Sequence, residues 1–502
     1  MRALMKPVLF LIAAIILFLA VCLVRAFMFT STSENEDLLA LPAAPAIDID
    51  VAAGKLSEAI TYQTITLRSG DPRPGQNQPW LDFHAFVERS FPALSAQSTF
   101  ETVADSSLMI TWQGSNPDAD PIILMGHMDV VPVDFSTLDG WNHSPFEGVI
   151  SEGYVYGRGT MDCKGPIVAM LEAAELLASS GWVPERSIIF QYGHDEEVGG
   201  TGAEAMFNLQ RERGIRPYFV LDEGMEVLET YALTGQPAAL IGVSEKGYRS
   251  YRITAVDNGG HAAIPRRNTS AVRLGRALAA LDDNQMPIDL TSSPFPEAVR
   301  SMADDLPFKI RFAMANSFAF GWMMESVTEE DVMFNAMLRT TAAPTMLAGS
   351  NKDNVLPPNA SAVVNFRLHP SDTAEDLEAH MRRVLDPIGG MEFELITAGI
   401  VADPSPVSSI EGLPYRILES VASDTGEGVP VIPGMVVGSV DARFAAIVTD
   451  ENIFRFVPTV YSNEDMGGMH GTNERLSLEN LERMITGYSR IMMMGASVSE
   501  EG

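Results

Sequence analysis

Ser187-Ile-Ile-Phe-Gln-Tyr-Gly-His-Asp-Glu-Glu197 is the stretch on which the reading of this chain turns. The run from 187 to 192 reads as a strand buried on both faces, and it stops in an imidazole followed by three carboxylates. The same pattern recurs on either side. Upstream, Pro121-Ile-Ile-Leu-Met125 runs into Gly126-His127-Met128-Asp129. Downstream, Tyr218-Phe-Val-Leu221 runs into Asp222-Glu223-Gly224. Between the first two, Gly165-Pro166 opens a helix that continues through Ala178, with proline in its first turn. Strand, helix and strand at this spacing imply right-handed crossovers and a mostly parallel sheet. In open α/β sheets, ligand sites form beyond the carboxyl ends of strands, which is where these polar groups stand.

The middle of the chain differs. Arg249 to Asp257 alternates like a half-exposed strand, Ser270 to Leu281 and Thr373 to Leu385 read as helices, and Ala362 to Leu368 and Glu392 to Ile396 read as strands. Apolar α/β patterning resumes at Leu413. The expected fold is therefore α/β. A mostly parallel-sheet catalytic domain (51–244 and 401–502) is interrupted by an inserted α+β lid domain (245–400). The Met- and Phe-rich stretch 307–338 reads as packing, a lid-to-lid interface or an apolar acyl groove.

The N-terminus speaks to location. Val8 to Val24 is 17 residues without a charge, preceded by Arg2 and Lys6. As a helix it would extend about 26 Å, close to a ~30 Å hydrocarbon core. A cleaved signal and an uncleaved anchor are the two readings. Val21 is bulky where Leu19-Ala20-Val21-Cys22 would need a small residue for lipoprotein cleavage, so a signal-anchor over 1–29 is favoured. Basic residues before it place the body outside the cytoplasm, beyond a polar tether at 30–50.

Composition narrows the function. With 34 Lys+Arg against 66 Asp+Glu the net charge is −32, the wrong sign for a nucleic-acid binder. Two cysteines, Cys22 and Cys163, exclude a disulfide framework. No His-Glu-x-x-His helix and no Gly-x-Ser-x-Gly elbow is present. Gly200-Thr-Gly-Ala-Glu-Ala205 loosely fits a dinucleotide fingerprint, but Asp195, Glu196 and Glu197 just before it would repel a pyrophosphate.

A two-metal hydrolase fits better. It needs a carboxylate bridging two ions ~3.5–4 Å apart, terminal His or carboxylate ligands, and a free carboxylate to take a proton from the attacking water. The candidates are His127, Asp162, Glu197, Asp222 (with Glu223 as rival) and His470, with Glu196 as base. Asp129, two residues after His127, could accept the other imidazole N–H and fix the tautomer. His143 reads as a loop-ordering residue, and His84, His369 and His380 as solvated or satisfied.

Four segments carry a resemblance. Gly126-His-Met-Asp-Val-Val-Pro132, Gly157-Arg-Gly-Thr-Met-Asp-Cys-Lys-Gly165, Asp195-Glu-Glu-Val-Gly-Gly200 and Met469-His-Gly-Thr-Asn-Glu-Arg475 together resemble the aminoacylase/carboxypeptidase S family of di-zinc metallopeptidases. The resemblance implies two zinc ions, with cobalt or manganese as substitutes. Asp162 would bridge them, His127 and Asp222 would complete one, and Glu197 and His470 the other. It further implies that Glu196 is general base and then acid. His261, in Gly259-Gly-His-Ala-Ala-Ile-Pro265, would stabilise the oxyanion, and Asn354, Arg367 and Arg443 would hold the substrate carboxylate. Asn365 and Ala262 depart from the residues common in the family. Cys163, beside the bridging position, reads as a packed, inert thiol.

The implied activity is a zinc carboxypeptidase or amidohydrolase that uses a metal-bridged hydroxide on the amide beside a free-carboxylate amino acid. An N-acyl-amino-acid hydrolase/synthase is the rival within the same chemistry, and a non-catalytic peptide-binding protein the rival outside it. Expected partners are a small peptide or N-acyl amino acid, the membrane through the N-terminal helix, and a second copy through the lid.

Overall fold

The computed structural model describes residues 2–31, 38–398 and 400–498. Residues 32–37 of the expected tether lie outside them.

Three strands, Ile122–His127, Ile188–Gly193 and Phe219–Asp222, are buried at every residue. They lie side by side and parallel, with Ile122–His127 in the middle. Continuous burial is why they carry unbroken apolar runs rather than alternation. They form the heart of a ten-stranded sheet. One face is covered by the helices Lys164–Ser179 and Leu478–Gly495, which pack on each other, and by Ile49–Ile60 and Leu413–Thr425. Helix Thr201–Glu212 and the turn Asp441–Ile447 cover the other.

The sheet is mixed rather than mostly parallel. Ser98–Val103 and Ser107–Trp112 form an antiparallel hairpin that joins the edge of Ile188–Gly193. Its turn residues, Ala104 and Asp105, have φ of 50° and 64°, as a tight turn matched to strand twist requires. On the far side, Ile453–Arg455 runs parallel to Phe219–Asp222 and pairs antiparallel with Ala238–Glu245 through Arg455 and Gly242. The last quarter of the chain thus supplies a strand between two earlier ones.

A second, four-stranded antiparallel sheet lies within 247–395, in the order Thr341–Ala348, Asn359–Leu368, Gly247–Val256, Met391–Leu395. Burial alternates along Asn359–Leu368, so one face meets a core, built with Ser270–Asp283 and Ala374–Leu385. Thr341–Ala348 forms an exposed edge. Of five short helices from Phe295–Ser301 to Val332–Leu338, four share a core with Ile432 and Ala238 of the large sheet, and Ser317–Phe320 packs on Phe308–Ala315.

The N-terminal helix Arg2–Met28 contains an apolar span, Pro7–Met28, of 22 residues with mean hydropathy 3.2 and almost no burial. It is apolar enough to be a membrane anchor or a signal sequence.

Candidate metal centre

His127 is the last residue of its strand, and the sheet delivers its imidazole to the carboxyl edge in a buried position. Nε2 lies 2.8 Å from Asp162 Oδ1 and 3.2 Å from Glu223 Oε1. Nδ1 lies 3.0 Å from the Asp129 carbonyl and 3.4 Å from Asp129 Oδ1. The tautomer is therefore set mainly by the Asp129 backbone, with its carboxylate close behind.

Asp162 sits where two histidines meet. Its Oδ1 faces His127 and its Oδ2 lies 2.8 Å from His470 Nε2. His470 Nε2 also lies 3.2 Å from Glu197 Oε1. His470 holds φ of 57° and Asn473 φ of 62°. A left-handed histidine costs about 1–3 kcal/mol and persists only where its surroundings hold it. Those surroundings include Glu474. Its Oε1 accepts N–H groups from Gly159 and Met161 at 3.0 and 2.9 Å, and Oε2 takes Arg158 at 2.5 Å. Arg158 in turn donates to the Gly471 carbonyl at 2.9 Å. This buried pair ties the loop bearing Asp162 to the segment bearing His470.

Asp129 does more than face His127. Its Oδ1 accepts the Glu196 N–H at 3.0 Å, and its Oδ2 accepts the Glu197 N–H at 3.2 Å and the Thr66 hydroxyl at 2.8 Å. It therefore aims both glutamates. Behind them, Gly200 has φ of 70°, and a Cβ there would sit 2.1 Å from Asp441 Oδ1, so the turn admits only glycine.

The electrostatics of the cluster suit a bound cation. Burial pushes the Glu196 carboxyl well above the usual carboxylate range, with Asp441, Glu223 and Glu197 adding to the rise. Burial also raises Glu197, and raises Glu223 to about 7. For Asp162, burial opposes ionisation, but hydrogen bonds from His127 and His470 hold its carboxyl below its ordinary value. Burial likewise opposes charging of His127, yet Cys163, Glu223, Asp129 and Asp162 raise it well above a normal histidine. Four carboxylates share this space with two imidazoles. Cations would favour the charged form of every one of these acids. The ligand atoms of His127, Asp162 and Glu197 lie within 4.8 Å of one another, as do those of His127, Cys163 and Glu223. Mixed imidazole and carboxylate donors suit zinc, and cobalt or manganese as well. The residues fit a metal pair.

Two residues, Asp222 and Arg443, stand differently from the expectation. Asp222 does not face His127: its Oδ2 accepts the Ala442 N–H at 2.7 Å and its Oδ1 the Glu223 N–H at 2.9 Å. The strand ends at Asp222, which braces the loop below, and Glu223 beyond it reaches the imidazole. Arg443 is likewise not open to a ligand. Its Nη1 donates to Ser439 Oγ and the Val440 carbonyl, and its Nη2 to the Gly199 carbonyl, at 2.8–3.1 Å. It pins one site loop to another.

A cleft of about 400 Å³ opens over the cluster. Its floor is Asp162, Glu196, Glu197, Glu223 and His470, and Arg367 reaches it from the second sheet. Arg367 lies over the Tyr248 ring at 4.4 Å and donates Nε to Asn365 Oδ1 at 3.2 Å, while its buried Nη1 has no partner among the described residues. His261 and Asn354 stand apart. His261 is exposed on a two-residue strand, with Nδ1 accepting the Ala263 N–H, and the Asn354 carbonyl accepts the Ala262 N–H. Neither lines the cleft. Cys163 Sγ is buried and accepts the His127 N–H at 3.0 Å, and burial pushes its thiol up, in keeping with an unreactive packed group. His143 packs edge-on against Tyr156 at 4.7 Å.

Comparison with known proteins assigns the chain a family. Residues 123–494 match Peptidase family M20/M25/M40. The chain is 34% identical over 457 residues to a probable carboxypeptidase S-like 2 of Dictyostelium discoideum, covering 89% of this chain and 85% of that one. It is 33% identical over 437 residues to the human N-fatty-acyl-amino acid synthase/hydrolase PM20D1, covering 86% and 85%. Among solved structures, the M20 family metallo-carboxypeptidase Sso-CP2 of Sulfolobus solfataricus shares the fold, with a TM-score of 0.64 at 15% identity over 89% of this chain and 99% of that one.

Proposed function

The chain belongs to peptidase family M20/M25/M40 and is a metallopeptidase, and from that premise we propose a two-zinc carboxypeptidase and amidohydrolase that cleaves the amide beside an amino acid with a free carboxylate. One observation carries the reading: the two oxygens of Asp162 are each 2.8 Å from a different histidine, drawn from positions 127 and 470. His127, Asp162 and Glu223 would hold one ion, and Asp162, Glu197 and His470 the other. When bound, such a pair polarises a carbonyl and makes water a nucleophile at neutral pH.

The chain's own groups do the rest. Glu196 takes the proton of the attacking water and returns it to the leaving nitrogen, a task suited to a carboxyl held high by burial. Asp129 aims Glu196 through its backbone N–H. Arg367 meets the substrate carboxylate with its unpartnered nitrogen. For His261 to hold the oxyanion, the inserted unit must close over the cleft as a lid or a second copy must supply the residue. The exposed edge Thr341–Ala348 supports a homodimer. We also propose that the N-terminal helix stays uncleaved and anchors an extracytoplasmic body.

A second reading, an N-acyl-amino-acid hydrolase or synthase, is favoured by the cleft's apolar walls: Met161, Ile400, Val440, Val457, Met466 and Met469. The human relative's name describes that activity. A panel of dipeptides and long-chain N-acyl amino acids, assayed before and after chelation and zinc return, separates the two. Glu196→Gln should retain its metal and lose turnover. Parental turnover in that variant, or full activity in the stripped protein, sinks the mechanism; no turnover of any panel member by the zinc-loaded parent favours a non-catalytic binder.

A further inference from the structure

The N-terminal helix Arg2–Met28 does not stand free of the body. Its second half rests on the helices Phe308–Ala315 and Ser317–Phe320. Phe18 stacks on Phe320 at 6.2 Å and meets Phe318 edge-on at 6.3 Å, and Phe27 meets Phe308 at 5.7 Å. Cys22 and Ala26, on the same side, are buried while the rest of the apolar span is exposed. Side-chain donors at this contact find backbone carbonyls, although the buried Asn316 Oδ1 has no partner among the described residues. Arg25 donates Nε and Nη2 to the Ala315 carbonyl at 3.0 and 2.8 Å, and Asn316 donates Nδ2 to the Cys22 carbonyl at 3.0 Å. Ala315 is where one short helix ends, so its carbonyl has no successor in the helix. Non-helical backbone at membrane depth requires this kind of internal partner.

Depth follows from length. The span Pro7–Met28 is about 33 Å long at 1.5 Å per residue, matching a ~30 Å hydrocarbon core. Phe18 falls near its midpoint and Phe27 at its body-side end, so the contact zone fills one leaflet. Whatever packs on that zone lies at the same depth. The packed helices have the matching chemistry. Phe318 and Trp322 are 70% and 71% exposed, and Phe308 is partly so. Residues 307–324 contain Lys309 and Arg311 and no acid, in a chain of net charge −32. Exposed aromatic side chains with a few cations and no acid suit a lipid interface.

We propose that the helices Phe308–Ala315 and Ser317–Phe320, with Trp322, are a second membrane element that enters the leaflet crossed by the N-terminal helix. The partner is the phospholipid leaflet itself. The inserted unit is thereby held against the bilayer. This rests on the anchor reading above, and the test keeps the two apart. The full chain is reconstituted into phosphatidylcholine/phosphatidylglycerol vesicles and floated on a density gradient. Tryptophan emission is then measured with lipids brominated along the acyl chain, for the parent and for Trp322→Phe. Of the five tryptophans, Trp322 is the one strongly exposed. The expected result is flotation of both proteins, with bromolipid quenching in the parent and its loss in Trp322→Phe. Flotation with Trp322 quenched by aqueous acrylamide and not by bromolipid overturns the proposal and leaves the anchor standing. Shielding of Trp322 from both quenchers means that protein covers the face, and overturns it too. A chain that fails to float overturns both.

Discussion

Glu474→Gln changes one atom in the interior and should be felt in both stability and metal binding. Glu474 is fully buried. One of its oxygens serves the N–H groups of Gly159 and Met161, and the other serves Arg158 at 2.5 Å. Glutamine has a single acceptor oxygen. If it keeps these amides and that of Asp162, which also donates to the first oxygen, its NH2 is driven against the Arg158 guanidinium, a buried charge then left unpaired. That costs on the order of 3–5 kcal/mol. If it turns round, amide N–H groups are stranded at about 1–3 kcal/mol each. Arg158 keeps the Gly471 carbonyl at 2.9 Å and its place 5.6 Å from the Trp141 ring, so the lower end, ~3 kcal/mol, is expected. Against a total stability of about 5–15 kcal/mol this is large. The assay is denaturant unfolding of chelated protein, read by midpoint and slope, with metal content measured on reloaded folded protein. The midpoint should drop at constant slope. Metal content should fall, because Asp162 and His470 are joined through this pair. Arg158→Met combined with Glu474→Gln should cost less than the sum of the two single changes. An unchanged midpoint in Glu474→Gln, or strict additivity in the double variant, refutes the reasoning.

Asp129→Asn keeps the volume but points a donor at the N–H of Glu196 or Glu197; it should strand a buried amide at about 1–3 kcal/mol and, in protein that still folds, lower kcat about 10–100-fold, and a parental kcat would remove Asp129 from its positioning role. Glu223→Gln should lose metal as measured by elemental analysis, and Asp222→Asn should keep it; the reverse outcome would restore the assignment made from sequence. In metal-free protein, hydrogen bonds to Asp162 and Glu197 raise His470 to about 10. A raised histidine contributes stability that is full below its unfolded value of ~6.5 and is lost as pH rises through about 10. The stability advantage of the chelated parent over His470→Gln should therefore fade from pH 6.5 to 10, and an advantage that grows across that window contradicts the geometry.

What could be read from the sequence was what burial writes into it. Ile122–His127 and Ile188–Gly193 are enclosed on both faces, so their apolar runs were plain and the polar groups at their ends stood out. His127, Glu196 and Glu197 stand at the ends of such runs, whereas Asp162 and His470 follow no apolar strand and were drawn from the segments that carry the resemblance. The antiparallel hairpin at 98–112 was not, because its turn uses Ala104-Asp105 where glycine or asparagine would have signalled it. Ile453–Arg455 has three residues and places a buried arginine against Glu245, which defeats an apolar-run criterion. Val431–Val436 holds Pro433 and Gly434 inside an edge strand, a pattern that argues against a strand until its place in the sheet is known. Neighbouring acids at a strand end point to opposite sides, so choosing Glu223 over Asp222 needs the backbone direction that only the fold provides. Glu474 lay inside a recognised segment without a role, since its hydrogen bonds go to backbone amides more than 300 residues away.

The insertion of Ile453–Arg455 between strands that precede it by some 200 residues sets an order on biosynthesis. As the chain leaves the ribosome, the edge of Phe219–Asp222 must wait, unpaired, while the whole intervening unit is made. That unit's antiparallel strands connect over shorter distances and can assemble meanwhile. Chain closure over so long a separation is slow, and a waiting strand edge invites pairing with strangers. Production of this protein should thus hinge on what shields that edge during translation, more than on the strength of the finished sheet.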